Sequence, residues 1–148
     1  MDLTDDLSFD TDTAATRWKI GEDLPPSVGV IRNMKDPTLF GHPDRVDSPL
    51  WDDDRAELDG GGVHSNSGVA NHAFWRMVEG PKKLDANKDV ALDQALAIWF
   101  LASQTLLTSA SDYDDLAGAL LIACDQLADV DGAVRTGTGA ASADITTA

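Results

Sequence analysis

Positive charge is what this sequence has least of. Eleven Lys and Arg residues face 26 Asp and Glu, giving a formal net charge of −15 and a pI near 4.2. A surface this acidic is repelled by phosphate backbones, which excludes nucleic-acid binding through a basic patch. Cysteine is almost missing too: Cys124 stands alone, so there is no disulfide scaffold. Its place on an apolar helical stripe reads as a buried, inert thiol. No hydrophobic stretch is long enough to span a membrane, since polar residues interrupt both 91–107 and 116–128. The opening Met-Asp-Leu-Thr-Asp-Asp has neither the basic start nor the apolar run of a secretory signal. The chain is therefore either intracellular or begins downstream of its own signal. Alternating β-branched runs are absent, against a substantial sheet. Several catalytic signatures are missing as well. The three histidines, His42, His64 and His72, form no His-Glu-x-x-His, and the sequence has no Gly-x-Ser-x-Gly elbow and no phosphate-binding glycine loop.

With 148 residues and 43% hydrophobic content, the chain is one domain's worth and too apolar to be wholly disordered. Residues 1–16, rich in Asp and Thr, read as an irregular acidic lead-in. From Trp18 to Asp59, short apolar pieces alternate with Pro25-Pro26, Asp36-Pro37, Gly41-His42-Pro43, Ser48-Pro49 and, just beyond, Gly60-Gly61-Gly62. This pattern predicts a long ordered loop region with one short helical turn around Val28–Met34. A loop of that length in a small domain usually shapes a site. The second half is helical by periodicity. One helix is expected over 69–79 with Asn66 or Ser67 as its cap, and a second over 90–107. A third is expected over 112–128, opened by Ser111 and Asp114 as an aspartate form of the capping box. The small residues of 132–148 read as a loose tail. The fold class is thus mostly α, with about three main helices and a long N-terminal loop region.

Four constellations could carry chemistry. Asp59-Gly-Gly-Gly-Val-His64-Ser-Asn66-Ser67-Gly68 delivers a histidine through a sharp turn just before a helix, five residues after a carboxylate. A His–carboxylate pair fixes an imidazole's tautomer and suits a proton donor or the stabiliser of a developing negative charge. The other reading, a glycine-rich turn with an incidental surface histidine, stays open. Arg32 lies between Ile31 and Met34 in an apolar stretch. Its guanidinium fits a carbonyl or carboxylate ligand, or equally a structural ion pair on a short helix. Asp85-Ala-Asn87-Lys-Asp89 has the first ligand spacings of a calcium loop. Val90 and Leu96 stand where the glycine and the bidentate Glu belong, so an acidic helix-start loop is the better reading. Asp5-Asp6 and Asp52-Asp53-Asp54 read as solvated charge runs.

The segments Trp18-Lys-Ile-Gly-Glu-Asp-Leu-Pro25, Ile31-Arg-Asn-Met-Lys-Asp-Pro37, Phe40-Gly-His-Pro-Asp-Arg45 and the Asp59–Gly68 block occur in that order. Together with 107–116 and Ala123-Cys124, they resemble the C-terminal α-helical domain of the thermolysin-like neutral zinc metallopeptidases over roughly 12–130. The resemblance implies roles position by position. His64 would bind the oxyanion of the tetrahedral intermediate or donate a proton, and Asp59 would orient its imidazole. Arg32 would bind a substrate carbonyl, Ile31 would form part of the specificity wall, and Asn66 would be structural. It also implies a folded domain over 17–131, a peptide substrate, a secreted enzyme, and an N-terminal metal-binding domain as partner.

The sequence also departs from the family. No zinc ligand is supplied by these residues, so zinc is expected only in the intact enzyme, and the chain alone is expected to be inactive. Glu22 keeps one calcium-ligand position, but Arg17 and Lys19 stand where calcium-binding relatives are acidic. The hairpin after the His64 helix is shortened to Gly80-Pro-Lys-Lys, and the closing helix is absent, so the chain reads as truncated at both ends. A stand-alone, catalytically dead helical module is the alternative. It would bind a peptide or protein partner, or form a homodimer through an apolar face left exposed. An acidic calcium-dependent surface domain is the third reading.

Overall fold

Short, punctuated sequence cannot nucleate long helices, and the first half of the chain folds around turns instead. The computed structural model describes residues 13, 15–22, 24–52 and 59–128. Most of the expected lead-in 1–16, the Asp5-Asp6 run, Asp53 and Asp54 and the tail 132–148 lie outside the described residues. The chain divides into two compact units, Met1–Lys82 and Lys83–Ala148, each taken by itself below. None of the described helices is long and apolar enough to cross a membrane.

In the first unit, β1 (Lys19–Ile20) and β2 (Arg32–Asn33) pair antiparallel, with Ile20 opposite Arg32. Amides of Ile31 and Met34 extend the pairing to the carbonyls of Ile20 and Trp18 at 2.9 and 2.7 Å. This corrects the helical turn expected over 28–34: Arg32 stands on a strand. The connection turns over Pro25, whose carbonyl accepts from the Val28 and Gly29 amides. The Asn33 side chain then accepts from the amides of Lys35 and Asp36, both at 3.0 Å. Asp36 caps a 3₁₀ turn over Pro37–Phe40, with Pro at its start, where no amide partner is needed.

Helix α1 (Ser67–Val78) runs from the glycine turn. A Cβ on Gly68 would sit 2.5 Å from the Pro43 carbonyl, so the absence of a side chain lets the helix start lie against the Pro43 loop. At its other end Arg17 pairs with Glu79 at 3.3 Å. Trp18, buried, meets Phe74 edge to face at 6.4 Å between ring centres.

The second unit is helical. Helix α2 (Lys88–Leu101) opens at Asn87, whose side chain accepts from the Asp89 amide at 2.9 Å, while Asp85 accepts from Asn87 at 2.7 Å. The calcium-like spacing is thus a helix-start loop, as expected. The helix expected to continue to 107 leaves α geometry at Leu101 and passes through a π-helical turn over Ala102–Leu106. There the hydroxyls of Ser103 and Thr105 bond back to the carbonyls of Phe100 and Leu101, competing with the regular ladder. Helix α3 (Tyr113–Leu127) starts one residue later in register than Ser111 predicted. Asp112 is the cap, accepting from Asp114 and Asp115 while its own amide bonds the Asp115 carboxylate. Ser111 instead accepts from the Thr108 amide at 3.0 Å.

Alanines at 91, 95, 102, 119 and 123 are buried where α2, the π turn and α3 pack, and their small side chains permit close approach. Ile98 and Leu127 are almost fully buried there, each contributing on the order of 1.5–3 kcal/mol. Cys124 is half-buried rather than buried, and burial pushes its thiol up, with the Asp125 charge adding to the shift.

Candidate functional site

Three glycines precede His64, and their backbones all take positive φ: 55° at Gly60, 87° at Gly61 and 75° at Gly62. Side-chain-bearing residues resist that conformation, so the glycine run folds the chain back sharply enough for residue 64 to meet residue 59. His64 Nδ1 lies 2.6 Å from Asp59 Oδ1. The pairing expected from the five-residue spacing is therefore formed.

The Asp59 carboxylate is heavily bonded. Its Oδ2 accepts from the Ser65 amide at 2.9 Å, the Ser65 hydroxyl at 2.8 Å and the His64 amide at 3.2 Å. The Ser65 amide above all, then the Ser65 hydroxyl and the His64 ring, hold this carboxyl well below the usual carboxylate range. Asp59 is the sheltered partner, with its side chain 21% exposed against 77% for His64. With Nδ1 engaged by Asp59, the Nε2 edge of an exposed ring is left to meet a ligand.

Arg32 reaches the same turn from β2. Its Nη2 donates to the His64 carbonyl at 3.3 Å, and the Ser67 hydroxyl donates to that same oxygen at 2.6 Å. The structure therefore brings Arg32, His64 and Asp59 together. Ile31 lies beside Arg32 in sequence and is 44% exposed.

Asn66 stands at the N-cap of α1, as expected, but its side chain makes no capping bond. The amide group is used elsewhere. Its Oδ1 accepts from the Asp52 amide at 3.0 Å and its Nδ2 donates to the Asp52 carbonyl at 2.9 Å. Asn66 thus clamps the backbone of the preceding loop as a strand neighbour would. The structural reading of this residue has a concrete form, in which a side-chain amide satisfies both main-chain groups of Asp52.

Three neighbours of the pair are not evident from the sequence. Asp52 belonged to a charge run read as solvated, yet its carboxylate is bonded by the Ser65 hydroxyl. Ser65 is part of the motif, and its signal in the sequence is a hydroxyl directly after the histidine. His42 feels the charges of Arg32, Asp59 and Asp52; burial first, then Arg32, push its pKa down against the two carboxylates. The remaining histidine, His72, faces the Lys35 carbonyl at 3.1 Å and packs on Trp75.

The described residues offer no ready-made metal set. Among the described residues no three His, Cys, Asp or Glu side chains converge on one point. His64 and His72 each place Nδ1 against an oxygen of the chain, which orients the ring. Glu22 is exposed in the β1–β2 connection, and Arg17, expected to spoil a calcium set there, is engaged with Glu79. A hollow of about 730 Å³ bordered by Val46, Trp51, Asp52 and Asn66 includes neither His64 nor Arg32 in its lining.

Residues 5–145 match the family described as the thermolysin metallopeptidase, alpha-helical domain. A zinc metalloproteinase of Renibacterium salmoninarum is 37% identical over 118 residues, covering 76% of this chain and 21% of that protein. Bacillolysin of Bacillus amyloliquefaciens is 33% identical over 104 residues, covering 70% of this chain and 18% of its own length. The neutral protease NprE of Bacillus pumilus is 33% identical over 104 residues, 70% of this chain and 32% of its own. The chain spans between about a fifth and a third of these relatives.

Proposed function

We propose, from the premise that the chain belongs to the thermolysin metallopeptidase alpha-helical domain family, that residues 17–131 supply one wall of a peptide-hydrolysing cleft. The companion wall is an N-terminal metal-binding domain, and the intact enzyme is a secreted zinc endopeptidase. The observation that carries this reading is the convergence of His64, Asp59 and Arg32 on one turn, with the imidazole paired at 2.6 Å and open on its other edge.

The chemistry of these residues follows from that placement. Asp59 accepts the Nδ1 proton, so a protonated His64 donates from Nε2. That donor suits a peptide carbonyl oxygen that gains negative charge, and it can pass a proton to the departing amine. Arg32, held by the His64 carbonyl, keeps its remaining N–H groups for a substrate carbonyl. Ile31 offers an apolar wall to the adjacent side chain, and Asn66 braces the turn against the loop at Asp52. Zinc, held in the intact enzyme by the companion domain, would supply Lewis-acid polarisation of the scissile carbonyl and an activated water. Calcium binding at Glu22 would need partners beyond that residue.

The test is reconstitution. The chain, with zinc and a fluorogenic peptide, is expected to give no hydrolysis alone. Activity should appear on adding the separately produced metal-binding portion of a relative. His64→Ala should then lower kcat/KM by about 100-fold or more, the scale seen for loss of one oxyanion donor. Stoichiometric zinc and peptide cleavage by the chain alone would refute the reading. So would reconstituted activity indifferent to His64→Ala.

A second reading draws on Phe100 and Leu121, exposed at 69% and 72% in the second unit. In it the chain is a catalytically silent module that pairs with a partner or with a second copy. Sedimentation equilibrium that finds only monomer at high concentration removes the homodimer.

A further inference from the structure

We propose that Ser65 is the positioning residue of the Asp59–His64 pair, its hydroxyl tying the Asp59 carboxylate to Asp52 on the preceding loop. This rests on the reading of His64 and Asp59 as working partners.

The imidazole of His64 is mostly exposed, so packing does not set its orientation. Among the described residues the hydrogen bond to Asp59 Oδ1 does so. That bond is as well aimed as the carboxylate it depends on. Asp59 Oδ2 is where the carboxylate is gripped, and Ser65 contributes two of the grips, its amide and its hydroxyl. With Oδ2 fixed, rotation about the Cβ–Cγ bond is blocked and Oδ1 stays on the Nδ1 axis.

The hydroxyl has a second task. Ser65 Oγ also contacts Asp52 Oδ2, and the Asp52 backbone is clamped by Asn66. A serine hydroxyl carries one proton and two lone pairs. Two carboxylates therefore compete for one donor, and what Asp52 withdraws Asp59 loses. Ser65 has no helix-capping duty that would explain it otherwise: α1 starts at Ser67, with Asn66 before it. The residue thus acts on the imidazole through Asp59, and Asp52 adjusts how firmly.

The experiment reads the tautomer of His64 in the full chain by long-range ¹H–¹⁵N spectra, at a pH where the ring is neutral. In the unmodified protein the Nδ1–H form should dominate. Ser65→Ala should lower the ratio of Nδ1–H to Nε2–H by about threefold or more, with the amide spectrum otherwise preserved, and Ser65→Thr should restore it. Asp52→Asn, which removes the charged competitor, should raise the ratio and provides a second variant if Ser65→Ala does not fold. Asp59→Asn separates the two levels. If it abolishes the preference while Ser65→Ala leaves it unchanged, the pair stands and the role of Ser65 is overturned. If Asp59→Asn also changes nothing, the pair itself fails and the proposal goes with it. An unchanged ratio in Asp52→Asn overturns the coupling to Asp52.

Discussion

Replacing Gly62 with alanine tests the turn that makes the site. The φ at this residue is 75°, and a new Cβ would lie 2.3 Å from Asn66 Nδ2 and 2.8 Å from Asp52 Cβ. Gly60 is the control, because its φ of 55° imposes the same kind of backbone penalty while its added Cβ would meet only Val63, at 3.8 Å. A left-handed alanine costs about 1–2 kcal/mol at either position. At Gly62 the Asn66 amide must also move, giving up its two bonds to Asp52, each worth about 1 kcal/mol net. Gly62→Ala is therefore expected to cost about 3–4 kcal/mol and Gly60→Ala about 1–2 kcal/mol. The difference of about 2 kcal/mol corresponds to roughly 4–8 °C in Tm for a chain of this size. Urea unfolding followed by tryptophan fluorescence measures it, since Trp18, Trp51 and Trp75 lie in the unit that contains the turn. If the two variants fall within about 0.5 kcal/mol of each other, the Asn66 clamp contributes nothing and the account of the turn is wrong.

Two further predictions follow from hydrogen bonds at named positions. Asp59 has a depressed folded-state pKa, so its contribution to stability is complete above the ordinary aspartate value. It is lost as pH falls below about 4 toward the folded value. The stability gap between the unmodified chain and Asp59→Asn, measured by urea unfolding across acid pH, should narrow in that direction; a constant or widening gap contradicts it. At the start of α3, Asp112→Ala should cost about 1 kcal/mol, and Ser111→Ala clearly less. Equal losses in thermal melts would mean that the cap lies where the sequence pattern first suggested.

Local chemistry made much of this protein legible before any fold was known. Period-3.6 apolar spacing located α3 to within a residue at each end, because its stripe and its aspartate-rich start act within a few turns of one another. The family resemblance and the five-residue separation of Asp59 and His64 made the pair one of two open readings, and the three-glycine turn brings it about. What stayed hidden depends on partners distant in sequence. β1 and β2 are two residues each, too short to show an alternation, and only their pairing puts Arg32 on a strand facing the turn. Asn66 looks like a helix cap until Asp52 comes within reach and takes its amide. Asp52 looks like solvated charge until Ser65 stands against it. In the last two cases the side chain has two plausible local uses of similar free energy, and the choice falls to a group 13 or 14 residues away in sequence that the closed loop brings alongside.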